Sequence, residues 1–319
     1  MSGSNTPESP GIVAICGPTG SGKSDLALRL AARVSAEIVN FDSVQIYRGF
    51  DIGSAKPGRE VRERVAHHLI DEVEPTELFT AADFAERAEV VCRMIGERGK
   101  IPLLIGGTGF YLRALLAGLP DLPARDDVIR GRIRRVRARP RGSVWLHRWL
   151  KRVDVVTAGR VAEADSHRVE RALEVWMIAK RPISTWPRPG SSSQERMKSV
   201  KFALSYPREL LREKLDLRVR DMYDNGLVDE TRSLLDRYPE TCRAFDSIGY
   251  REAVRVVRCE LSIDEAIEET RRRTRAYAKR QMTWLRNEKG IRWVDMTKGI
   301  DWALDEITTQ LAVSGEAGR

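Results

Sequence analysis

Cysteine and histidine are scarce, four of each in 319 residues. Cys16, Cys92, Cys242 and Cys259 form no C-x-x-C pair and share no metal-ligand spacing with a histidine. That pattern excludes a disulfide framework and a Cys/His zinc site, and reduced thiols in a cytoplasmic protein are expected. Long apolar runs are missing as well. Nothing approaches the roughly 18 consecutive apolar residues of a membrane helix, so no membrane partner is expected. The opening segment, MSGSNTPESP, has neither the basic start nor the apolar run of a secretory leader. Residues 1–10 and 311–319 read as flexible tails. No internal repeat is present. Nothing in the pattern demands an obligate protein partner or more than a monomer.

What remains is a globular composition, 42% hydrophobic and 32% charged, with net charge +9. The charge is concentrated. Residues 125–152 hold eleven Arg/Lys against two Asp, and residues 271–289 hold eight Arg/Lys against one Glu. The two segments therefore carry +9 and +7, which leaves the rest of the chain at −7. An acidic body with two basic patches suits a polyanionic partner, because clustered Arg/Lys release condensed counterions from phosphates. Two solvated helix faces would give the same count.

Along the chain, GIVAIC at 11–16 is a short apolar run and reads as a buried first strand. Residues 24–34 have helical spacing, with Leu26, Ala27 and Leu30 on one side. AEIVNFDS at 36–43 predicts a second strand ending at Asp42. A helix follows at about 80–98, then a third strand at 101–107 and a helix to about 118. This alternation predicts an α/β fold, a P-loop NTPase-like parallel sheet flanked by helices. A first part of the core is assigned to 11–124 and a second to 193–310, with strands at 200–206 and at IRWVD. Between them, 125–192 reads as an all-helical insertion bounded by Pro-rich connectors, the second at 181–194. In such sheets ligands sit beyond the carboxyl ends of the strands.

Three loops fall at that end. GPTGSGKS at 17–24 meets the pattern G-x-x-x-x-G-K-[ST] with Gly17, Gly22, Lys23 and Ser24, between a strand and a helix. Its glycines let backbone N–H groups converge on phosphate oxygens, Lys23 adds a point charge, and Ser24 offers a hydroxyl to Mg²⁺. Asp42, expected one step from the P-loop in the sheet, is a metal-side carboxylate, a general base, or an Asp-Ser turn cap. GGTGFY at 106–111 allows close backbone approach at Gly106 and Gly107 and presents the Thr108 hydroxyl. Farther on, Arg272, Arg275, Lys279 and Arg286 recur on one helical face with Tyr277 and Trp284 interleaved, a pattern for stacking on bases or for core packing.

These motifs resemble the tRNA dimethylallyltransferase (tRNA isopentenyltransferase) family. The matching segments are GPTGSGKSDLA, DSVQIYRGFDIGSAKP, HHLID, PLLIGGTGFYLRALLAGL, SHRVERALEV, SIGYREA and AKRQMTWLR, in family order from about 11 to 290. Gly20 stands where Ala or Thr is common, and Ser54 where Thr is usual. The resemblance implies transfer of the dimethylallyl group from dimethylallyl diphosphate to N6 of the adenosine 3′ of the anticodon, in tRNAs reading U-initial codons. It implies Asp42, Thr108 and Lys23 as catalytic groups, with Mg²⁺ on Ser24. Residues Gly17, Pro18, Thr19, Gly20, Ser21, Gly22, Lys23 and Ser24, with Arg218, are expected to bind the diphosphate. The tRNA anticodon stem-loop is expected at Asp42, Ser43, Val44, Gln45, Thr108, Gly249, Tyr250, Arg251, Lys279, Arg280 and Arg286. The insertion would contribute Arg130, His167, Arg168 and Arg171 to the anticodon stem. A P-loop kinase of a small metabolite using ATP explains the P-loop and Asp42 but not the basic patches. A non-enzymatic nucleic-acid-binding module explains the charge but leaves Asp42 and Thr108 idle.

Overall fold

The computed structural model describes residues 11–187 and 196–313. The expected N-terminal tail, most of the Ser-rich connector and residues 314–319 lie outside the described residues. Strand β1 (Ile12–Cys16) leads into helix α1 (Lys23–Arg33), followed by β2 (Ala36–Asn40), α2 (Arg59–Arg64), β3 (His67–His68), α3 (Ala81–Glu97), β4 (Ile101–Gly106) and α4 (Gly109–Ala117). Helices α5 (Asp127–Arg137), α6 (Gly142–Val153), α7 (Val155–Ala158) and α8 (Ser166–Ala179) come next. The chain then continues through β5 (Ser199–Ser205), α9 (Arg208–Asp224), α10 (Leu227–Arg237), α11 (Tyr250–Val257), α12 (Ile263–Arg286), β6 (Ile291–Asp295) and α13 (Ile300–Val313). Two compact units result, one of residues 1–117 with 194–319 and one of residues 118–193. Among the described residues no helix is long and apolar enough to cross a membrane.

The first unit holds a six-stranded sheet in the order β3-β2-β4-β1-β5-β6, every pair parallel. β1, β2 and β4 are buried along their whole length, which is why their sequences are runs rather than alternations. On one face α1 seats Leu26, Ala27, Leu30 and Ala31 in a core completed by Phe202, Val294 and Ile307. α3 starts at a capping box in which Thr80 and Asp83 satisfy each other's backbone N–H groups. Three expectations change. β2 stops at Asn40, so Asp42 lies in the loop beyond it, and β4 stands between β2 and β1, so that loop is two strands from the P-loop. The two-residue β3, a turn of chain too short to form an apolar run, makes the strand at 101 the fourth. α13 continues to Val313 with Leu311 fully buried, so residue 311 belongs to a packed helix.

The second unit is helical. Ile133, Leu146, Leu150, Val169, Ala172 and Leu173 form its core. Its boundaries fall at 118 and 193, with the Pro-rich 118–124 segment included. α8 carries two buried carboxylates, Glu170 and Glu174. A buried charge must be paired, and arginines do this: Arg137 and Arg134 meet Glu170, while Arg171 (2.7 Å) and Arg130 (3.6 Å) meet Glu174.

Candidate active site

The P-loop is shaped by its glycines. Gly20 and Gly22 have φ of 74° and 79°, in the left-handed region that Gly enters at no steric cost. Gly22 begins α1 with no side-chain cap, so the first N–H groups of the helix remain for an anion. Lys23 Nζ donates across the loop to the carbonyls of Gly17 (3.0 Å) and Pro18 (2.7 Å). The Ser21 hydroxyl is fully buried and has no hydrogen-bond partner among the described residues. Burial and the nearby Arg218 guanidinium pull the Lys23 ammonium down to about 8, against the opposing charge of Asp42. Arg218, on α9, is lowered by burial and supported by Asp42, and makes no ion pair among the described residues. Two cations held at a cost, facing one carboxylate, form an anion site in search of charge. Cys16, directly before the loop, is pushed by burial to about 12 and is no nucleophile at neutral pH.

The loops after β2 and β4 close on this cradle. Asp42 Oδ1 accepts from the Val44 N–H (2.8 Å) and the Gln45 N–H (3.4 Å). Capping and chemistry are therefore not alternatives: one oxygen fixes the turn, and Oδ2 accepts no hydrogen bond among the described residues. Thr108 Oγ1 accepts from the Ser43 N–H (3.3 Å), tying the two loops together. Burial, with the charge of Asp42, pushes the phenol of Tyr277, on α12, up to about 12. Gln281, also on α12 and buried, bridges the third pair of elements. Its Oε1 accepts from the Thr19 N–H (2.9 Å) and its Nε2 donates to the Gly107 carbonyl (3.0 Å). A Cβ at Gly107 would stand 2.0 Å from that Nε2, which is why glycine occupies the position.

The cavity between them, open on one side, measures about 610 Å³. Its wall takes in Thr19–Ser24 of the P-loop, Asp42, Ser43, Val44 and Gln45, the 53–55 loop, Gly106 and Gly107, Arg218, Tyr277 and Arg280. Arg280 lies over the Tyr277 ring at 5.6 Å. Among the described residues no cluster of three His, Cys, Asp or Glu side chains forms a metal cage. The exposed Ser24 hydroxyl and the neighbouring carboxylates suit an ion that arrives with a phosphate and keeps most of its ligands from it.

Other expected contacts are placed differently. Tyr250, expected at the RNA, is fully buried: its O–H donates to Glu230 (2.5 Å) and accepts from the Gly53 N–H (3.1 Å). Its ring has no surface to offer a base. Gly249, with φ of 95°, donates its N–H to Glu252, which is paired with Arg273. Arg251, Lys279 and Arg286 are exposed outside the cavity wall. Arg275 leaves the supposed basic face to grip Asp216, and Trp284 packs on Gly109 beneath the Arg113 guanidinium. In the helical unit His167 and Arg168 are exposed at the start of α8, whereas Arg130 and Arg171 are engaged by Glu174. Sequence reasoning missed Gln281 and Glu230. For Gln281 a signal existed: it shares a face with Ala278 and Leu285, where a polar residue needs buried partners.

Comparison with known proteins gives a consistent picture. The profile of the family described as IPP transferase matches residues 45–288. A tRNA dimethylallyltransferase of Solibacter usitatus is 47% identical over 284 residues, 89% of this chain and 92% of that protein. The crystal structure of a tRNA delta(2)-isopentenylpyrophosphate transferase from Staphylococcus epidermidis superposes with a TM-score of 0.71 at 31% identity, covering 96% of this chain and 99% of that one. A eukaryotic dimethylallyltransferase acting on tRNA gives a TM-score of 0.75 at 26% identity, over 96% of this chain and 80% of its own.

Proposed function

The chain belongs to the IPP transferase family, and from that premise we propose how its residues carry out the transfer of a dimethylallyl group to tRNA. It is a tRNA dimethylallyltransferase, moving the five-carbon group from dimethylallyl diphosphate to N6 of the adenosine 3′ of the anticodon, in tRNAs reading U-initial codons. The observation that carries the residue assignment is the cavity in which Lys23, Arg218 and the open start of α1 face the free oxygen of Asp42.

The P-loop cradle is assigned to the leaving group. As the bond from the allylic C1 to oxygen breaks, its electrons pass to the diphosphate. Backbone N–H groups of Gly20, Gly22, Lys23 and Ser24, with the Lys23 and Arg218 side chains, stabilise that charge, and they are already in place before reaction. Ser21, whose buried hydroxyl lacks a protein partner, is assigned to a phosphate oxygen. The Ser24 hydroxyl would help to hold a Mg²⁺ ion arriving with the diphosphate, and that ion would supply further positive charge to the leaving group. At the other side, N6 forms the new bond to C1 and its proton passes to Asp42 Oδ2. An exocyclic amine is a weak nucleophile because its lone pair is delocalised into the ring, so a positioned carboxylate accelerates attack. Thr108, whose hydroxyl accepts from the Ser43 N–H, follows directly on the Gly106–Gly107 part of the wall and is assigned to orient the base. Pulling the base from its stack costs a few kcal/mol, offset by contacts in the cavity and along α12. We place the enzyme in the cytoplasm, with its substrate.

The test is direct. With Mg²⁺, unmodified tRNA and labelled dimethylallyl diphosphate, the protein transfers label to tRNA without ATP. Consumption of ATP against a small acceptor, with no label in tRNA, would refute the reading. Asp42→Ala should lower turnover by roughly 10²–10⁴ while tRNA binding persists; near-normal turnover would remove Asp42 as the base.

A further inference from the structure

Residues 51–57 form a loop whose members Gly53, Ser54, Ala55 and Pro57 wall the cavity, yet the groups that hold it come from two distant helices. Glu230, on α10, accepts the Ile52 N–H through both carboxylate oxygens (3.1 and 2.9 Å). Tyr250, at the start of α11, accepts the Gly53 N–H and donates to Glu230. Two consecutive amides are thus pinned by one hydrogen-bonded pair. The Tyr250 ring lies against Gly53 so closely that a Cβ there would approach it to 2.4 Å. Phe50 packs on the same ring at 4.7 Å. Neither Glu230 nor Tyr250 lines the cavity.

The consequence falls on Gln45. Its Nε2 donates to the carbonyls of Ser54 (3.0 Å) and Ala55 (3.3 Å), the two residues after the pinned amides. A carboxamide has one donor end and one acceptor end. With the donor end consumed by the loop, Oε1 is the end left over, and it accepts no hydrogen bond among the described residues. A loop free to turn its carbonyls away would let the amide flip and offer N–H instead.

We propose that Glu230 and Tyr250 are positioning residues, which fix the 51–57 loop and through it hold the Gln45 carboxamide with its oxygen presented to the base. This rests on the transferase reading above and adds to it a specificity device. An acceptor at that point pairs with an N–H edge of the purine and repels a carbonyl edge. The chemistry itself needs no group from α10 or α11. Their role is to choose which end of an ambiguous side chain the RNA meets.

A double-mutant cycle tests this. Single-turnover prenylation of tRNA is measured for the wild type, Tyr250→Phe, Gln45→Ala and the double variant. Tyr250→Phe keeps the ring and removes only the hydroxyl, so the fold is retained and checked by its melting temperature. The expected result is a loss of about tenfold in kcat/KM for tRNA in Tyr250→Phe, with KM for dimethylallyl diphosphate within about twofold. In the Gln45→Ala background the same change should cost less than about twofold, because its target is gone. Glu230→Gln, which retains a carbonyl acceptor, should recover most of the activity lost in Glu230→Ala. Equal loss in both backgrounds, or no loss, overturns the positioning role while the wild type still transfers. A wild type that transfers nothing to tRNA is a different result, and it overturns the transferase reading as well.

Discussion

Lys23 keeps a proton in a place that penalises it. Burial is the larger cause of its depressed value of about 8, and Arg218 adds to it. A ligand carrying negative charge reverses both effects, so binding a diphosphate must raise the proton affinity of the ammonium. The sign follows. Below about pH 8 the free protein already holds the proton, and affinity is flat on this account. Above it the proton must be taken up on binding, and affinity declines with each further unit. Calorimetric titration with inorganic pyrophosphate and Mg²⁺ on both sides of that value should show the decline. Lys23→Arg should remove the decline, since a guanidinium stays charged throughout. That variant separates the side chain from the ionisation of the ligand; an identical decline in both proteins would detach Lys23 from the phosphate. Nothing in GPTGSGKS discloses the depressed value. It depends first on burial by the surrounding fold and then on Arg218, which arrives from α9 almost two hundred residues later.

At the scale of elements, the end of β2 opposite the site carries its own device. Glu37 is buried at the start of β2, and burial alone would raise its pKa. Hydrogen bonds from Arg98 (2.6 Å), His68 (2.8 Å) and Lys100 (3.1 Å) outweigh it and bring the carboxyl to about 2. The group joins β2, β3, the end of α3 and the entry to β4. Its folded value lies below the ordinary 4.5, so its stabilisation is fully present above pH 4.5 and is lost as pH falls towards 2. Allowing for screening of the half-exposed Arg98 and Lys100, Glu37→Gln should cost on the order of 2 kcal/mol at neutral pH. It should also flatten the acid limb, as urea unfolding across that range would show. The same region marks what sequence could reveal. β1, β4 and β5 were legible because strands buried on both faces are apolar runs, and α3 because its capping box is local. β3 was not, since two residues carry no periodicity. The placing of Asp42 failed for a related reason: strand order is decided by crossovers, not by neighbours in the chain. Within the site, the P-loop and Asp42 were legible as local motifs. Gln281 and Glu230 were not, because each acts on loops 174 to 262 positions away.

At the scale of the whole molecule, charge is the property the sequence displayed most openly, and the structure divides it by use. In the Arg-rich stretch of the helical unit, Arg130, Arg134 and Arg137 point to the buried carboxylates of α8. Arg132, Arg135 and Arg139 are exposed and make no ion pair among the described residues. Their spacings of three and four set them along one side of α5 and its C-terminal extension. Only the second set is available to release counterions from a nucleic acid. The two sets should therefore answer differently to the same substitution. Replacing Arg132, Arg135 and Arg139 together by Ala should leave the melting temperature nearly unchanged. It should weaken tRNA binding and reduce the slope of log affinity against log salt by roughly 2–3, somewhat under one per phosphate contact. Replacing Arg137 alone should do the reverse, because it leaves Glu170 with only the more distant Arg134: stability falls by roughly 1–3 kcal/mol while the salt slope of the folded protein stays as it was. Filter binding over a salt series, paired with thermal unfolding, distinguishes the two patterns. An unchanged slope in the triple variant would make the exposed arginines a solvated face, and the tRNA grip would have to come from α12.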